Sequence, residues 1–587
     1  GWGTRRAAST FTQEASVAHR SSRAREIGSL ALQAHDGGID RRAFLLRAAA
    51  LGLSLSTGDA IFRTYTARAF QDESGSPITV TVGGTPIAAM EPDLTNATPG
   101  GTLRFGRSTD SNNLDPVTND GNVNIWYFMS IYDQLVRVAP DGITLEPALA
   151  ESWKVSDDGI TYTFHLRDGV LFSDGTPMTS DDVIYSWIRA ANDPDEHWTF
   201  TLTALQRDEN GQVQGISAPD ASTVVVELAQ PWAPFLSDVA MFNMSIISKA
   251  FAEGNEETLV ETAMGTGPFS LQEWKRGETL TLVKNPNYWE EGLPLLDSVV
   301  VSVVPDDNAR ILQLQGGELD AMMDVPSSRV PELQMDPNLK VYQFPSTLTQ
   351  YITMNTRNAP LNDVHARRAL QYATDRQTLI DVVLFGVGVP ATSFMPQGAL
   401  YWNDALTPYT YDVEAAKAEM AQSATPEGFP LELKIRGGSP DEETLATALK
   451  DMWSQIGVEV TITPTEGTTL NDDYNNQNFQ AMTNYWTNDI IDPDELVAYA
   501  ILPESSQAFQ TGWVNEEAQT LARDGAAEPD PARRDEMYRR IQEIYHEESP
   551  MLALYYRPYL DITTIKVHNF GHPPTGEFDW RTTWIEQ

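Results

Sequence analysis

Gly265-Thr-Gly-Pro-Phe269, followed by Trp274 and then Asn285-Pro-Asn-Tyr-Trp289, is the stretch that decides the fold. Phe269-Ser-Leu271 and Thr279-Leu-Thr-Leu-Val283 alternate apolar residues, and Lys275-Arg-Gly277 supplies the turn between them, so the segment reads as a hairpin on a larger sheet. The two glycines around Thr266 allow close backbone approach and positive φ, and Pro268 starts a strand where no donor is needed. None of these residues carries chemistry. They specify a bend and buried aromatics.

On the N-terminal side, Gly100-Gly-Thr-Leu-Arg-Phe105 reads as a strand, and Asn124 to Val138 carries apolar residues at helical spacing. A β-rich block follows. Leu149 to Val155 and Thr161 to Leu166 are strands joined by the hairpin turn Ser156-Asp-Asp-Gly159. Thr179-Ser-Asp-Asp182 caps a helix over Val183 to Ala191, and Thr223 to Leu228 is a further strand. Past the hairpin the chain alternates helix and strand. Asp363 caps a helix to about Leu384, Asp412 caps Val413 to Gln422, and Pro531 opens a helix to about Glu547 ahead of an apolar strand, Met551 to Tyr556. Leu431 to Ile435, the helix Asp441 to Ile456 and Val458 to Ile462 form a βαβ unit, which requires parallel strands and a right-handed crossover. With 587 residues the chain is too long for one core.

The order and spelling of these stretches resemble the large solute-binding proteins of ABC importers, the group that contains dipeptide- and oligopeptide-binding proteins. Gly101-Thr-Leu-Arg104, Asn113-Leu-Asp-Pro116, Leu149-Ala-Glu-Ser-Trp153, Leu166-Arg-Asp-Gly169, Phe172-Ser-Asp-Gly175 and Asp181-Asp-Val-Ile-Tyr-Ser186 precede the Gly265 and Asn285 motifs. Gly316-Gly-Glu-Leu-Asp320, Asn355 and Ala366-Arg-Arg-Ala-Leu-Gln-Tyr-Ala373 follow them. The resemblance implies an α/β, two-lobed periplasmic-binding-protein-like fold of type II, with ligand enclosed between the lobes and an extra β-rich subdomain. On this chain it implies a hinge lobe from 100–132, 265–345 and 555–587, the extra subdomain at 133–264, and a second lobe at 346–554. It implies a receptor that hands a peptide or another small solute to an ABC permease and ATPase complex, acting as a monomer without cofactor. The same architecture in this family serves nickel chelates, oligosaccharides and opines.

Residues 1–69 read as an N-terminal tail with a twin-arginine signal, Asp40-Arg41-Arg42-Ala-Phe-Leu-Leu-Arg47, and 70–99 as a linker. This implies export to the periplasm or the outer face of the cytoplasmic membrane. Ten basic and five acidic side chains in 1–69 leave a net charge of −47 for 70–587, against −42 for the whole sequence. Such a surface repels nucleic acid and anionic membranes, and it keeps the protein soluble or favours cationic solutes. The absence of cysteine excludes disulfides, thiolate metal sites and cysteine nucleophiles.

Trp486-Thr-Asn-Asp489-Ile-Ile-Asp492-Pro-Asp494 is the leading site candidate. The resemblance assigns Asp489 to the α-ammonium of a peptide, a charge-assisted contact of about 1.5–3 kcal/mol. Ile490 and Ile491 depart from the small or polar residues common there. The bland alternative is a capped turn at Asp492-Pro-Asp494 with Asp489 solvated. By the same resemblance Arg436, after the first strand of the βαβ unit, meets the peptide carboxylate; otherwise it is a surface arginine. Tyr485, Trp486, Tyr351 and Trp126 are candidates for aromatic cleft walls. Enzyme signatures are missing: there is no His-Glu-x-x-His, no Gly-x-Ser-x-Gly elbow and no phosphate-cradling loop, and His568 and His572 lie in a Gly/Pro loop rather than on a metal-binding helix. A secreted hydrolase and a structural or adhesive surface protein remain the alternatives from other classes.

Overall fold

A computed structural model describes residues 92, 94–118, 123–139, 142–193, 202–506 and 508–587. The twin-arginine motif at Arg41 and Arg42, and residues 70–91 and 93 of the 70–99 linker, lie outside the described residues. The deciding stretch forms the hairpin Phe269–Lys275 and Thr279–Lys284, with Gly277 at φ 75° in its turn. Gly265 and Gly267 are there for space and not for a left-handed backbone. A Cβ on Gly265 would lie 2.1 Å from the Ile131 carbonyl oxygen, and one on Gly267 2.5 Å from its carbon. Between them, Thr266 donates to Asp133 Oδ2 at 2.9 Å, and Trp289 Nε1 donates to the same oxygen at 3.0 Å. The motif thus closes a joint around one buried carboxylate.

Three main sheets follow from the alternating patterns. The first has seven strands, in the order Leu339–Phe344, Tyr559–Thr564, Ala321–Met322, Thr102–Arg107, Ser298–Val303, Thr279–Lys284 and Phe269–Lys275. Its inward residues Leu103, Phe105, Leu282 and Val299 pack with Phe570, Phe578 and Trp580. The second has four antiparallel strands, Ala150–Val155, Thr161–Leu166, Thr223–Glu227 and Ile216–Asp220. The helix Ser180–Ala191 covers it, capped by the Asp182 carboxylate accepting from the Thr179 N–H at 2.9 Å. The third has six strands, in the order Val389–Pro390, Met551–Tyr556, Thr349–Met354, Ala481–Trp486, Pro430–Arg436 and Glu459–Thr465. In it Pro430–Arg436 runs parallel to both Glu459–Thr465 and Ala481–Trp486, so the carboxyl ends of all three strands leave the sheet at one edge.

The chain passes between the seven- and six-stranded sheets through two short links, 345–348 and 557–558. They lie side by side: Arg557 N–H donates to the Leu348 carbonyl at 3.2 Å, and the Ser346 hydroxyl bonds the Arg557 carbonyl. Two adjacent short links of this kind make a hinge-like connection between the two sheets.

Two helices expected from periodicity are interrupted. Over 124–138 the chain makes a 3-10 turn, Ile125–Tyr127, one turn of α-helix, Phe128–Ile131, and then the strand Val136–Val138. The Ile131 carbonyl accepts from Gly267 N–H at 3.0 Å, so tertiary pairing takes over the acceptor a longer helix would use. The helix expected from Asp363 to Leu384 is two, Val364–Tyr372 and Arg376–Val383. Asp375 caps the second by accepting from Thr378 N–H, and Arg376 turns back to the Ala553 carbonyl at 2.8 Å.

Candidate functional site between the lobes

Ligands of open α/β sheets collect beyond the carboxyl ends of parallel strands. The loop that follows Ala481–Trp486 at that edge holds Asp489. It is anchored on three sides. Trp486 packs on Tyr499 and Phe509 at 4.7 and 5.1 Å between ring centroids, and its indole donates to Asn488 Oδ1 at 3.0 Å. Asn488 N–H donates to Thr347 Oγ1 in the hinge link at 2.8 Å. Ile490 is buried in the hydrophobic cluster of the seven-stranded lobe. The loop therefore belongs to one lobe by sequence and packs into the other.

Asp492 and Asp494 give this loop its shape. Asp492 takes a two-pronged salt bridge from Arg534, at 2.7 and 2.9 Å, both side chains being about 95% buried. It also accepts from Asp494 N–H at 3.0 Å, the capped turn that was the bland reading. Asp489 is not part of that turn. Its Oδ1 is shielded from solvent and has no hydrogen-bond partner among the described residues. Beside it stands Glu495, whose Oε2 accepts from the N–H groups of Asp489 and Ile490 at 2.9 and 3.2 Å and whose Oε1 has no partner. Glu577, from the C-terminal segment, adds a third carboxylate, held by the Thr575 hydroxyl at 2.5 Å.

Burial, then the Glu577 charge, pushes the Asp489 carboxyl up to about 7. Glu495 is pushed up by burial and by Asp489, and Glu577 by burial. Asp489 and Glu495 act on each other's titration as a pair. Buried acceptors without donors, in an excess of negative charge, suit a group that brings both N–H donors and positive charge, and an ammonium has three such donors.

Arg436 ends its strand at the same sheet edge, is exposed, and makes no ion pair with any described residue. Glu442 accepts from its backbone N–H at 2.8 Å. Tyr485, one residue before the end of its strand, is 52% exposed. Two residues expected as cleft walls are interior. Tyr351 sits on a central strand under Phe509, and Trp126 lies beneath the seven-stranded sheet with its indole donating to Ser111. Tyr351 is on a strand buried along nearly its whole length, and Trp126 is in the 3-10 turn Ile125–Tyr127, all three of whose residues are buried. Glu495, Glu577 and Thr347 escaped the sequence reading. Glu495 carried a faint signal, an acid one helical turn past the Asp489 loop, whereas Glu577 and Thr347 arrive from remote segments. The two loop histidines go to separate partners, His568 to Glu586 and His572 to Asp561, and among the described residues no acidic or histidine group is arranged to hold a metal.

Comparison with known proteins places this geometry. The model of bacterial extracellular solute-binding proteins, family 5 middle region, matches residues 144–506. The chain is 28% identical over 477 residues to the dipeptide-binding protein of Escherichia coli K12, spanning 78% of this chain and 89% of that protein. It is 30% identical over 448 residues to heme-binding protein A of Haemophilus influenzae, spanning 72% of this chain and 81% of that protein. Among solved structures, the periplasmic binding protein DppA of Helicobacter pylori, in complex with the peptide STSA, superposes with a TM-score of 0.70 at 26% identity, over 84% of this chain and 99% of that one. The chain belongs to the family 5 extracellular solute-binding proteins, the substrate-binding components of ABC importers.

Proposed function

We propose that this receptor captures short peptides, with Asp489 holding the ligand's α-ammonium and Arg436 its carboxylate. The observation that carries the reading is the solvent-shielded, partnerless Oδ1 of Asp489 at the carboxyl edge of the six-stranded sheet. Arg436 leaves the same edge, so a zwitterion laid across the strand ends meets charges of opposite sign at its two ends. A dipeptide-binding protein and a peptide complex among the relatives agree with this ligand class.

The mechanism is capture by closure. Ligand that touches both lobes stabilises the closed state by its differential affinity for it. Asp489 is next to Asn488, which bonds the hinge link, and faces Glu577 of the other lobe, so charge neutralised at this point removes a repulsion across the cleft. The closed, monomeric receptor then docks on a membrane permease and catalyses nothing itself. Export through Arg41 and Arg42 by the twin-arginine route belongs to the same reading, and replacing both by lysine should leave the precursor inside the cell. Native mass spectrometry of purified protein tests the ligand class: peptide masses are expected to co-purify, and a metal chelate or an opine in their place would overturn it.

A further inference from the structure

A cavity of about 770 Å³ lies between the β-rich subdomain and the six-stranded lobe. Trp232 and Asp238 line it from the subdomain, and Ile490, Glu495, Ala498 and Tyr499 from the site loop and the helix Asp494–Ile501. Its size is within the range of small-ligand pockets. Glu495 belongs to two places at once. It lines this cavity and it holds the backbone of Asp489, so the cavity begins one side chain away from the proposed ammonium position.

The charge balance of the walls is one-sided. Asp238, Asp494 and Glu495 are all more than nine-tenths buried. Asp238 accepts only from the Trp232 indole, at 2.8 Å, and Asp494 from the Tyr538 hydroxyl, at 3.2 Å. Glu495 Oε1 has no partner among the described residues. Arg534, whose charge acts on Asp238 and Asp494, is already matched by Asp492, and Arg523 in the cavity wall is matched by Glu504 at 2.7 Å. Among the described residues, three carboxylates are therefore left without an ion-pair partner of their own. Burial and mutual repulsion show in their titration: Asp494 is pushed up to about 7 and Asp238 well above its usual range. Beside these acids the wall has an apolar side, Ile490, Ala498 and Leu502, two aromatic faces, Trp232 and Tyr499, and the neutral polar residues Thr203, Gln230 and Ser505. That combination fits a side chain with an aliphatic stem and a cationic head.

We propose that this cavity receives a lysine or arginine side chain at the amino end of the ligand, making the preferred solute a short basic peptide. The inference rests on Asp489 holding the α-ammonium. The stem of the ligand's first residue lies against Ile490, Ala498 and Tyr499, and its head supplies the charge that Asp238, Asp494 and Glu495 lack.

Calorimetric titration of the full-length protein with Arg-Ala, Lys-Ala, Ala-Arg, Ala-Ala and 1,5-diaminopentane tests it. Arg-Ala and Lys-Ala should bind at least tenfold more tightly than Ala-Ala and Ala-Arg. Asp238→Asn keeps an acceptor for the Trp232 indole and should erase that ratio while leaving Ala-Ala binding unchanged. Ala498→Phe, at a partly exposed position of the cavity wall, should lower that ratio by filling the cavity. Equal affinity for Arg-Ala and Ala-Ala would overturn the basic-peptide preference and leave the role of Asp489 standing. Diaminopentane binding as tightly as Lys-Ala would overturn the peptide source in favour of a free diamine. Failure of every dipeptide to bind would overturn the peptide reading and this inference with it.

Discussion

Arg534→Met is the perturbation with the most clearly defined consequence. The guanidinium is 5% exposed and the Asp492 carboxylate 4%, and two bonds of 2.7 and 2.9 Å join them. Arg534 also donates to the Gly525 carbonyl at 2.8 Å and the Tyr538 hydroxyl at 3.1 Å. Methionine fills much of the volume, so the loss is electrostatic and not a cavity. Removing one partner of a buried pair costs about 3–5 kcal/mol, because the other charge stays buried without compensation. Urea unfolding followed by tryptophan fluorescence should show a loss of that size at pH 8. Adding Asp492→Asn keeps the acceptor for Asp494 N–H and removes the orphaned charge, so the double variant should recover most of the loss. A deficit below about 1 kcal/mol would refute the reasoning from burial.

Gly265→Ala drives a methyl into the Ile131 carbonyl at 2.1 Å and should cost about 1–3 kcal/mol, whereas Gly277→Ala, with nothing within 4 Å, should cost only the roughly 1 kcal/mol of a left-handed alanine; thermal unfolding of the two variants checks the order. Asp489 and Asp494 titrate near 7 in the folded protein, above their unfolded values, so the native state holds more protons and stability falls as pH rises towards 7. The melting temperature of the unliganded protein should accordingly drop between pH 5 and pH 8, and drop less in Asp489→Asn. Affinity for an ammonium-bearing ligand should run the other way, rising up to about pH 7 and flattening above it, because proton and ammonium compete for one carboxylate; titration calorimetry at four pH values reads this.

The sheets were legible because their signals are local. Alternation in Thr161 to Leu166, the Ser156-Asp-Asp-Gly159 turn, and the strand-helix-strand order from Leu431 to Ile462 each depend on neighbours within a few residues. The breaks at Ile131 and Thr374 were not legible, because Gly267 and Ala553, which bond the chain at those points, lie far away in sequence. Asp489 was found through the Trp486 to Asp494 spelling, and its burial follows from Trp486 and Ile490, both in the same stretch. What spelling could not give is the charge environment. Glu577 and Asp238 converge on this loop from a different lobe and a different subdomain, and no periodicity couples them to it. Ile490 and Ile491 read as a departure that clouded the ligand. In the fold Ile490 has a plain role, packing the site loop against the other lobe and flooring the cavity beside it.

The central claim is that one carboxylate between the lobes grips the ligand's amine. Titrating Ala-Ala into the wild type and into Asp489→Asn by calorimetry at pH 7.5 tests it most directly. Loss of a charge-assisted bond of about 1.5–3 kcal/mol predicts affinity weakened roughly ten- to a hundredfold, with the melting temperature of the unliganded variant no lower than that of the wild type. Equal affinity in the two proteins would contradict the account.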